Sequence, residues 1–186
     1  MTRALIVVAV ASGLLLFACS KAPAPKSVAG VPGEAFAPLT ETDVARFARV
    51  LPEVVSYLYE RGGPETQPRM RDGMAKYLAN NIEWVAHVDG IDSVLASNGT
   101  NWDFLRAMLY RISVCAWVVG TNDETQAQMR KLVRSEPTSA VAGQLRKRVR
   151  DMKAVVAAVP PANVEMFKRH YRDLKDFFYI VEAGEQ

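Results

Sequence analysis

The chain has 186 residues, of which 23 are basic and 20 acidic, and its formal net charge is +3 at pH 7. A charge balance this close to neutrality does not favour nucleic acid as a partner, and we expect none. Two cysteines are too few for the disulfide framework that stabilises many small secreted domains. The length is instead sufficient for one ordinary domain with its own hydrophobic core.

The N-terminus has a composition of its own. Arg3 precedes an unbroken run of apolar and small residues from Ala4 to Ala18, and the run ends at Cys19. A basic start, a short apolar middle and a small residue before the end are the three parts of a secretory signal peptide. The run is shorter than the roughly 20 apolar residues of a spanning helix. We therefore predict that residues 1–18 are a cleaved signal peptide. An uncleaved membrane anchor is the alternative.

The end of this run, Leu16-Phe17-Ala18-Cys19, resembles the lipobox of bacterial lipoproteins. The resemblance implies that Cys19 becomes the mature N-terminus, with diacylglycerol on its sulfur and an acyl group such as palmitate on its amine. Several acyl chains anchor a protein stably at a membrane, whereas one chain does so only marginally. The expected location is the bacterial cell envelope, with the domain facing the periplasm. Ser20, in place of an aspartate, implies sorting to the outer rather than the inner membrane.

The next segment, residues 21–38, has the sequence KAPAPKSVAGVPGEAFAP and contains four of the ten prolines. It shows no sustained apolar period, and its composition predicts an extended or disordered tether. At about 3.1 Å per residue such a tether would reach some 50 Å from the membrane. We therefore predict a lipidated N-terminus and tether over residues 19–38 and a folded domain over residues 39–186.

From residue 39 onward, apolar residues recur three and four positions apart, which predicts helices buried on one side. Thr40 is a candidate N-cap, and we expect a kink or a break at Pro52. Residues 102–119 are apolar on more than one face, so this helix is predicted to lie at the centre. The predicted helices cover about 41–60, 68–80, 82–96 in two pieces around Asp89-Gly90, 102–119, 121–134, 138–159 and 161–183. The fold class is predicted to be all-α, a bundle of six or seven helices.

Lipid on Cys19 would leave Cys115 without a partner for a disulfide. Cys115 lies in the apolar run 112–117, and no histidine, lysine or arginine stands next to it to stabilise a thiolate. We expect it to be a small buried hydrophobic residue rather than a reactive thiol.

One helix carries the strongest cluster of like charge, and its members flank the apolar stripe of that helix. They are Arg146, Lys147, Arg148, Arg150 and Lys153. The simpler interpretation is a solvated helix face. The alternative is contact with anionic lipid headgroups, to which a lipid anchor would bring the domain close.

Residues for a metal site or for catalysis are sparse. Glu83 and His87 are four positions apart and could share a helical face, with Asp89 and Asp92 following. A metal site needs three or four ligands, so we expect no metal and no other cofactor. No G-x-S-x-G, H-E-x-x-H or glycine-rich phosphate-binding motif occurs, and we expect the domain to be non-catalytic.

Large side chains at helical spacing could be core residues or could line a cavity for an apolar ligand. They are Trp84, Trp102, Met108, Trp117 and Met152. Because large aromatic residues dominate core energetics, we expect core packing.

Two segments, LTETDVARFARVLPEVVSYL and VPPANVEMFKRHYRDL, resemble those of small all-helical envelope lipoproteins of bacteria. With the lipobox, this resemblance implies a membrane-anchored lipoprotein whose non-catalytic domain binds another envelope protein. A carrier or sensor of an apolar ligand is the first alternative, and an enzyme of cell-wall or lipid metabolism is the second.

Overall fold

The computed structural model describes residues 25–61, 74–120 and 140–174, together with the single helical positions 127, 131 and 134. Across these residues the fold is all-α, as predicted, and contains no strand beyond one isolated bridge between Val28 and Val31. The helices are α1 (Glu41–Tyr59), α2 (Met74–Glu83), α3 (Ile91–Ser97), α4 (Trp102–Gly120), α5 (Ala140–Ala158) and α6 (Pro161–Arg169). A short 3₁₀ turn at Gly33–Phe36 precedes α1, and another at Trp84–His87 lies between α2 and α3.

Helix α4 lies at the centre of the bundle, which confirms the prediction made from its several apolar faces. It contacts the Gly33–Phe36 turn and helices α1, α2, α5 and α6. Its buried residues are Leu105, Met108, Leu109, Tyr110, Ile112, Ser113, Val114 and Cys115. Among the described residues, no helix combines the length and the apolar composition that a membrane span requires.

Helix α1 begins where the sequence predicts. Thr40 is its N-cap, and the Thr40 hydroxyl accepts a hydrogen bond from the backbone N–H of Asp43 at 3.1 Å. The buried stripe of the helix comprises Val44, Phe47, Val50, Leu51, Val54 and Leu58. The helix is continuous from Glu41 to Tyr59 with Pro52 inside it, so the break that we allowed for at this proline does not occur.

The breaks around α3 are also as predicted. Gly90 and Gly99 have φ angles of 79° and 65°, a left-handed conformation that glycine adopts without steric cost. The Asp89-Gly90 turn is held against α1 because the Tyr57 hydroxyl donates to the Asp89 carbonyl at 2.7 Å. The sequence Asn98-Gly99-Thr100 predicts a turn and the cap of α4, but the cap is one residue later, since Asn101 Oδ1 accepts from the Phe104 N–H at 2.9 Å.

Helices α5 and α6 differ in detail from the prediction. On α5 the apolar spacing predicts Val156 as an inward position, but the structure buries Val155 and leaves Val156 half-buried. In the last predicted helix the apolar spacing places Tyr171, Leu174, Phe178 and Val181 inward. The chain instead forms a turn after Arg169, in which Leu174 is buried as predicted but Tyr171 is 49% exposed. The predicted helix over 121–134, the start of the helix predicted at residue 68 and the inward positions Phe178 and Val181 lie outside the described residues, apart from positions 127, 131 and 134.

The predicted boundary between tether and domain is wrong. Residues 28–39, which we call the N-terminal strap, are folded onto the bundle, with Val31 and Ala35 fully buried and Phe36 and Leu39 nearly so. Burial of a valine, leucine or phenylalanine side chain contributes about 1.5–3 kcal/mol each, which offsets the cost of ordering the segment. The predicted signal peptide and Cys19 lie outside the described residues.

Candidate functional site

The N-terminal strap starts with a tight turn. Val28 and Val31 exchange two backbone hydrogen bonds of 3.0 and 2.9 Å, and between them Ala29 and Gly30 have φ angles of 51° and 83°. Positive φ at both central residues is the mark of a type I′ turn. The backbone at Gly33 then passes so close to Pro25 that a Cβ at this position would collide with the Pro25 carbonyl oxygen.

The far end of the strap is held by α6. Asn163, which is only 1% exposed, accepts from the Leu39 N–H and donates to the Ala37 carbonyl, each at 2.8 Å. Next to this contact, Glu41 at the start of α1 pairs with Arg169 and with His170 Nε2 at 2.6 Å. Asn163 could not be identified from the sequence, because one asparagine in the first turn of a helix carries no sign of its distant partner.

A half-buried polar cluster fastens the middle of the strap to α2 and α4. Arg106 lies between two carboxylates, with Nη2 at 3.4 Å from Glu34 Oε2 and Nη1 at 3.8 Å from Glu83 Oε1. The Tyr110 hydroxyl donates to Glu83 Oε1 at 3.3 Å, and Arg111 Nε donates to the Glu34 carbonyl at 3.1 Å. These contacts join three separate parts of the chain.

The chemistry of this cluster is that of a structural contact. Burial, and then the negative charge of Glu83, raise the pKa of Tyr110 far above its usual value. The phenol therefore stays protonated and acts as a hydrogen-bond donor. A general acid or base instead needs a pKa near the working pH, so Tyr110 is not tuned for proton transfer.

Glu83 and His87, the pair considered as metal ligands, have different surroundings. Glu83 is the last residue of α2 and contacts Tyr110 and Arg106, whereas His87 is exposed in the following 3₁₀ turn. Within the described residues no group of three or more histidine, cysteine, aspartate or glutamate side chains could hold a metal ion.

Cys115 is fully buried on α4, which confirms the prediction for this residue. Burial raises the pKa of its thiol from 9.0 to about 12. A thiol with so high a pKa forms little thiolate at neutral pH and is a poor nucleophile.

The aromatic and methionine residues considered as a cavity lining are part of the core. Met108 and Met152 are buried, and Trp84, Trp102 and Trp117 are partly buried and packed against the core cluster.

The basic residues of α5 divide into two groups. Arg146, Lys147, Arg150 and Lys153 are exposed, and we call them the basic face of α5. Spacings of three and four residues place them on one side of the helix. Arg148 is half-buried and lies away from this side, and the only acidic neighbour on α5, Asp151, is half-buried and pairs with Lys147 at 2.7 Å and with Arg150 at 3.9 Å.

Comparison with known proteins gives no relative for this chain: no family model matches it, and neither does any curated protein or solved structure. The case for a function therefore rests on the residues of the chain itself.

Proposed function

We propose that this protein is a bacterial envelope lipoprotein, anchored by lipid on Cys19, whose non-catalytic helical domain faces the periplasm and binds another envelope protein. The observation that carries the proposal is the sequence Leu16-Phe17-Ala18-Cys19 at the end of an apolar run with a basic start. The outer membrane is the proposed location, because Ser20 follows the cysteine.

The folded strap supports close attachment to the membrane. Val28 is nine positions after Cys19, and at about 3.3–3.6 Å per residue this connection spans at most about 30 Å. A tether as far as residue 38 would have allowed a much longer reach. The proposed anchor therefore holds the bundle near the lipid surface and limits its partners to proteins that also lie there.

The titratable groups of the interior support a binding role rather than catalysis. Tyr110 and Cys115 both have pKa values raised by burial, and Glu83 is engaged by Tyr110 and Arg106. These groups hold the strap and the core together. A nucleophilic thiol needs a lowered pKa and a general acid or base needs a pKa near the working pH, and neither Tyr110 nor Cys115 has one.

The anchor is tested with Cys19→Ala and, as a matched control, Cys115→Ala. We expect the wild-type protein and the Cys115→Ala variant to incorporate a fatty-acid analogue and to partition into membranes. The Cys19→Ala variant should lose both properties. If Cys19→Ala stays membrane-bound after a high-salt wash and the wild-type protein carries no lipid by mass spectrometry, the proposed anchor is wrong.

The partner is sought by crosslinking in intact cells. Tyr59 is 85% exposed at the end of α1, and exposed tyrosines are enriched in protein interfaces. A photoreactive residue at position 59 should capture a protein of the same membrane, while the same residue at the exposed Glu53 serves as the control for random collision. Capture at neither position, with a lipid co-purifying with the native protein, would favour the apolar-ligand carrier instead.

A further inference from the structure

The basic face of α5 has no counterpart among the helices described. Its four side chains are exposed, and the two that pair with Asp151 remain largely in solvent, Lys147 at 69% and Arg150 at 77% exposure. Among the side chains described on α5, the further exposed positions near this side are Gly143, Ala154 and Ala157, which are small, and Gln144, which is polar. Four long cationic side chains therefore project from a helix surface with few bulky neighbours, which allows them to touch one flat surface together.

The position of α5 relates this face to the proposed anchor. Helix α5 ends at Ala158 and is followed by Pro160 and then α6, where Asn163 holds the strap at residues 37 and 39. The strap in turn begins nine positions after Cys19. The α5–α6 junction is thus joined through Asn163 to one end of the strap, and the other end of the strap leads to Cys19.

We propose that the basic face of α5 lies against the anionic headgroups of the membrane that holds Cys19. This inference rests on the proposed lipid anchor, and it adds an orientation to it. Two attachments, one covalent and one electrostatic, hold the domain with α5 towards the lipid and leave the opposite side for a protein partner.

Physical reasons favour a lipid surface over other anionic partners. The connection of at most about 30 Å keeps the bundle at a high effective concentration next to the headgroups. Near an anionic membrane each lysine or arginine favours the docked state by a factor of roughly five. Single-stranded nucleic acid is bound with aromatic side chains on which bases stack, and no aromatic residue lies on this side of α5.

The test uses the full-length lipidated protein in vesicles. A donor fluorophore is attached at Ala157→Cys, where Cys115 does not compete because it is buried. The acceptor is a headgroup-labelled lipid. We expect stronger energy transfer in vesicles that contain phosphatidylglycerol than in phosphatidylcholine vesicles. The difference should disappear in about 1 M salt, where the screening length falls to roughly 3 Å.

The charges are tested with a matched pair of double variants. Arg150→Gln with Lys153→Gln should lower the ratio of docked to free domain about 25-fold, from roughly fivefold for each charge. Arg49→Gln with Arg172→Gln removes the same charge from exposed positions on other elements and should leave the ratio unchanged. The inference would be overturned if the two double variants changed the ratio of docked to free domain equally. It would also be overturned if the wild-type protein gave equal energy transfer in phosphatidylglycerol and phosphatidylcholine vesicles. Because the protein would still float with vesicles, that result is distinct from failure of the anchor.

Discussion

Asn163 and Leu39 are 124 positions apart in sequence, yet the Leu39 N–H donates to Asn163 Oδ1 at 2.8 Å in the protein interior. The Nδ2 of the same side chain donates to the Ala37 carbonyl at 2.8 Å. One side-chain amide thereby satisfies a donor and an acceptor of an irregular backbone segment, in the way that a neighbouring strand would. Buried backbone groups need such partners, because leaving one unpaired costs about 1–3 kcal/mol.

Replacing Asn163 with alanine should therefore destabilise the protein strongly. We expect the free energy of unfolding to fall by about 2–4 kcal/mol, since both a donor and an acceptor lose their partner. Urea denaturation followed by circular dichroism measures this. Glu165→Ala, on the exposed side of the same helix, removes only a surface pair with Lys168 and should change stability by less than about 0.5 kcal/mol. Similar values for the two variants would show that the two hydrogen bonds of Asn163 contribute little to stability.

The strap itself is tested at Phe36. Its ring is nearly buried, and truncation of a buried phenylalanine to alanine costs about 3–5 kcal/mol. We expect Phe36→Ala to lower the unfolding midpoint in urea accordingly, while Lys26→Ala at an exposed position before the strap leaves it unchanged. A flexible tether would instead give two variants with the stability of the wild type.

Ala29 is the only described non-glycine residue with a positive φ angle, at 51°. This conformation costs an ordinary L-residue about 1–2 kcal/mol, and asparagine followed by glycine is favoured in type I′ turns. Ala29→Asn should stabilise the protein by about 0.5–1 kcal/mol and raise its melting temperature. Ala29→Val, with a β-branched side chain in the same turn, should lower it. Destabilisation by asparagine would contradict the turn geometry.

The Cys115 thiol predicts a loss of stability in alkali. Its pKa is about 12 in the folded protein and 9.0 without burial. Below pH 9 the thiol is protonated in both the folded and the unfolded chain, so its ionisation does not yet lower the free energy of unfolding. As the pH rises from 9 to 12, the Cys115 thiol loses its proton in the unfolded chain but keeps it in the folded chain. This difference lowers the free energy of unfolding by at most about 4 kcal/mol. Urea denaturation at several pH values should show a smaller alkaline decline for Cys115→Ala than for the wild type. Equal declines would mean that other groups, such as Tyr110, account for the effect.

Local signals in the sequence were sufficient for most of the helices. The Thr40 cap and the breaks at Gly90 and Gly99 depend on short-range chemistry, namely an N-terminal hydrogen bond and left-handed φ angles. The central position of α4 followed from its several apolar faces. These features are decided within a few residues of the chain, so a single sequence carries them.

Contacts between distant elements could not be obtained in this way. The strap was predicted as a tether because four prolines dominate the average composition of residues 21–38. The recurrence of Val31, Ala35 and Leu39 at every fourth position was the available signal for burial. Glu83 was considered with its sequence neighbour His87, yet it contacts Tyr110 and Arg106 of another helix. The choice of partner depends on how helices pack, which periodicity does not determine.

The hydrogen bonds between Asn163 on α6 and the strap also determine when the strap can fold during synthesis and export. Leu39 finds Asn163 only after 124 further positions have been made, so the strap is still unpacked when the N-terminus emerges. In a chain exported N-terminus first, as we propose, the processing site at Cys19 is then next to an unfolded segment and is accessible to the enzymes that attach lipid. Folding comes afterwards and takes residues 28–39 into the bundle. With lipid on Cys19, as we propose, the free connection shortens at that moment and draws the finished domain towards the membrane surface.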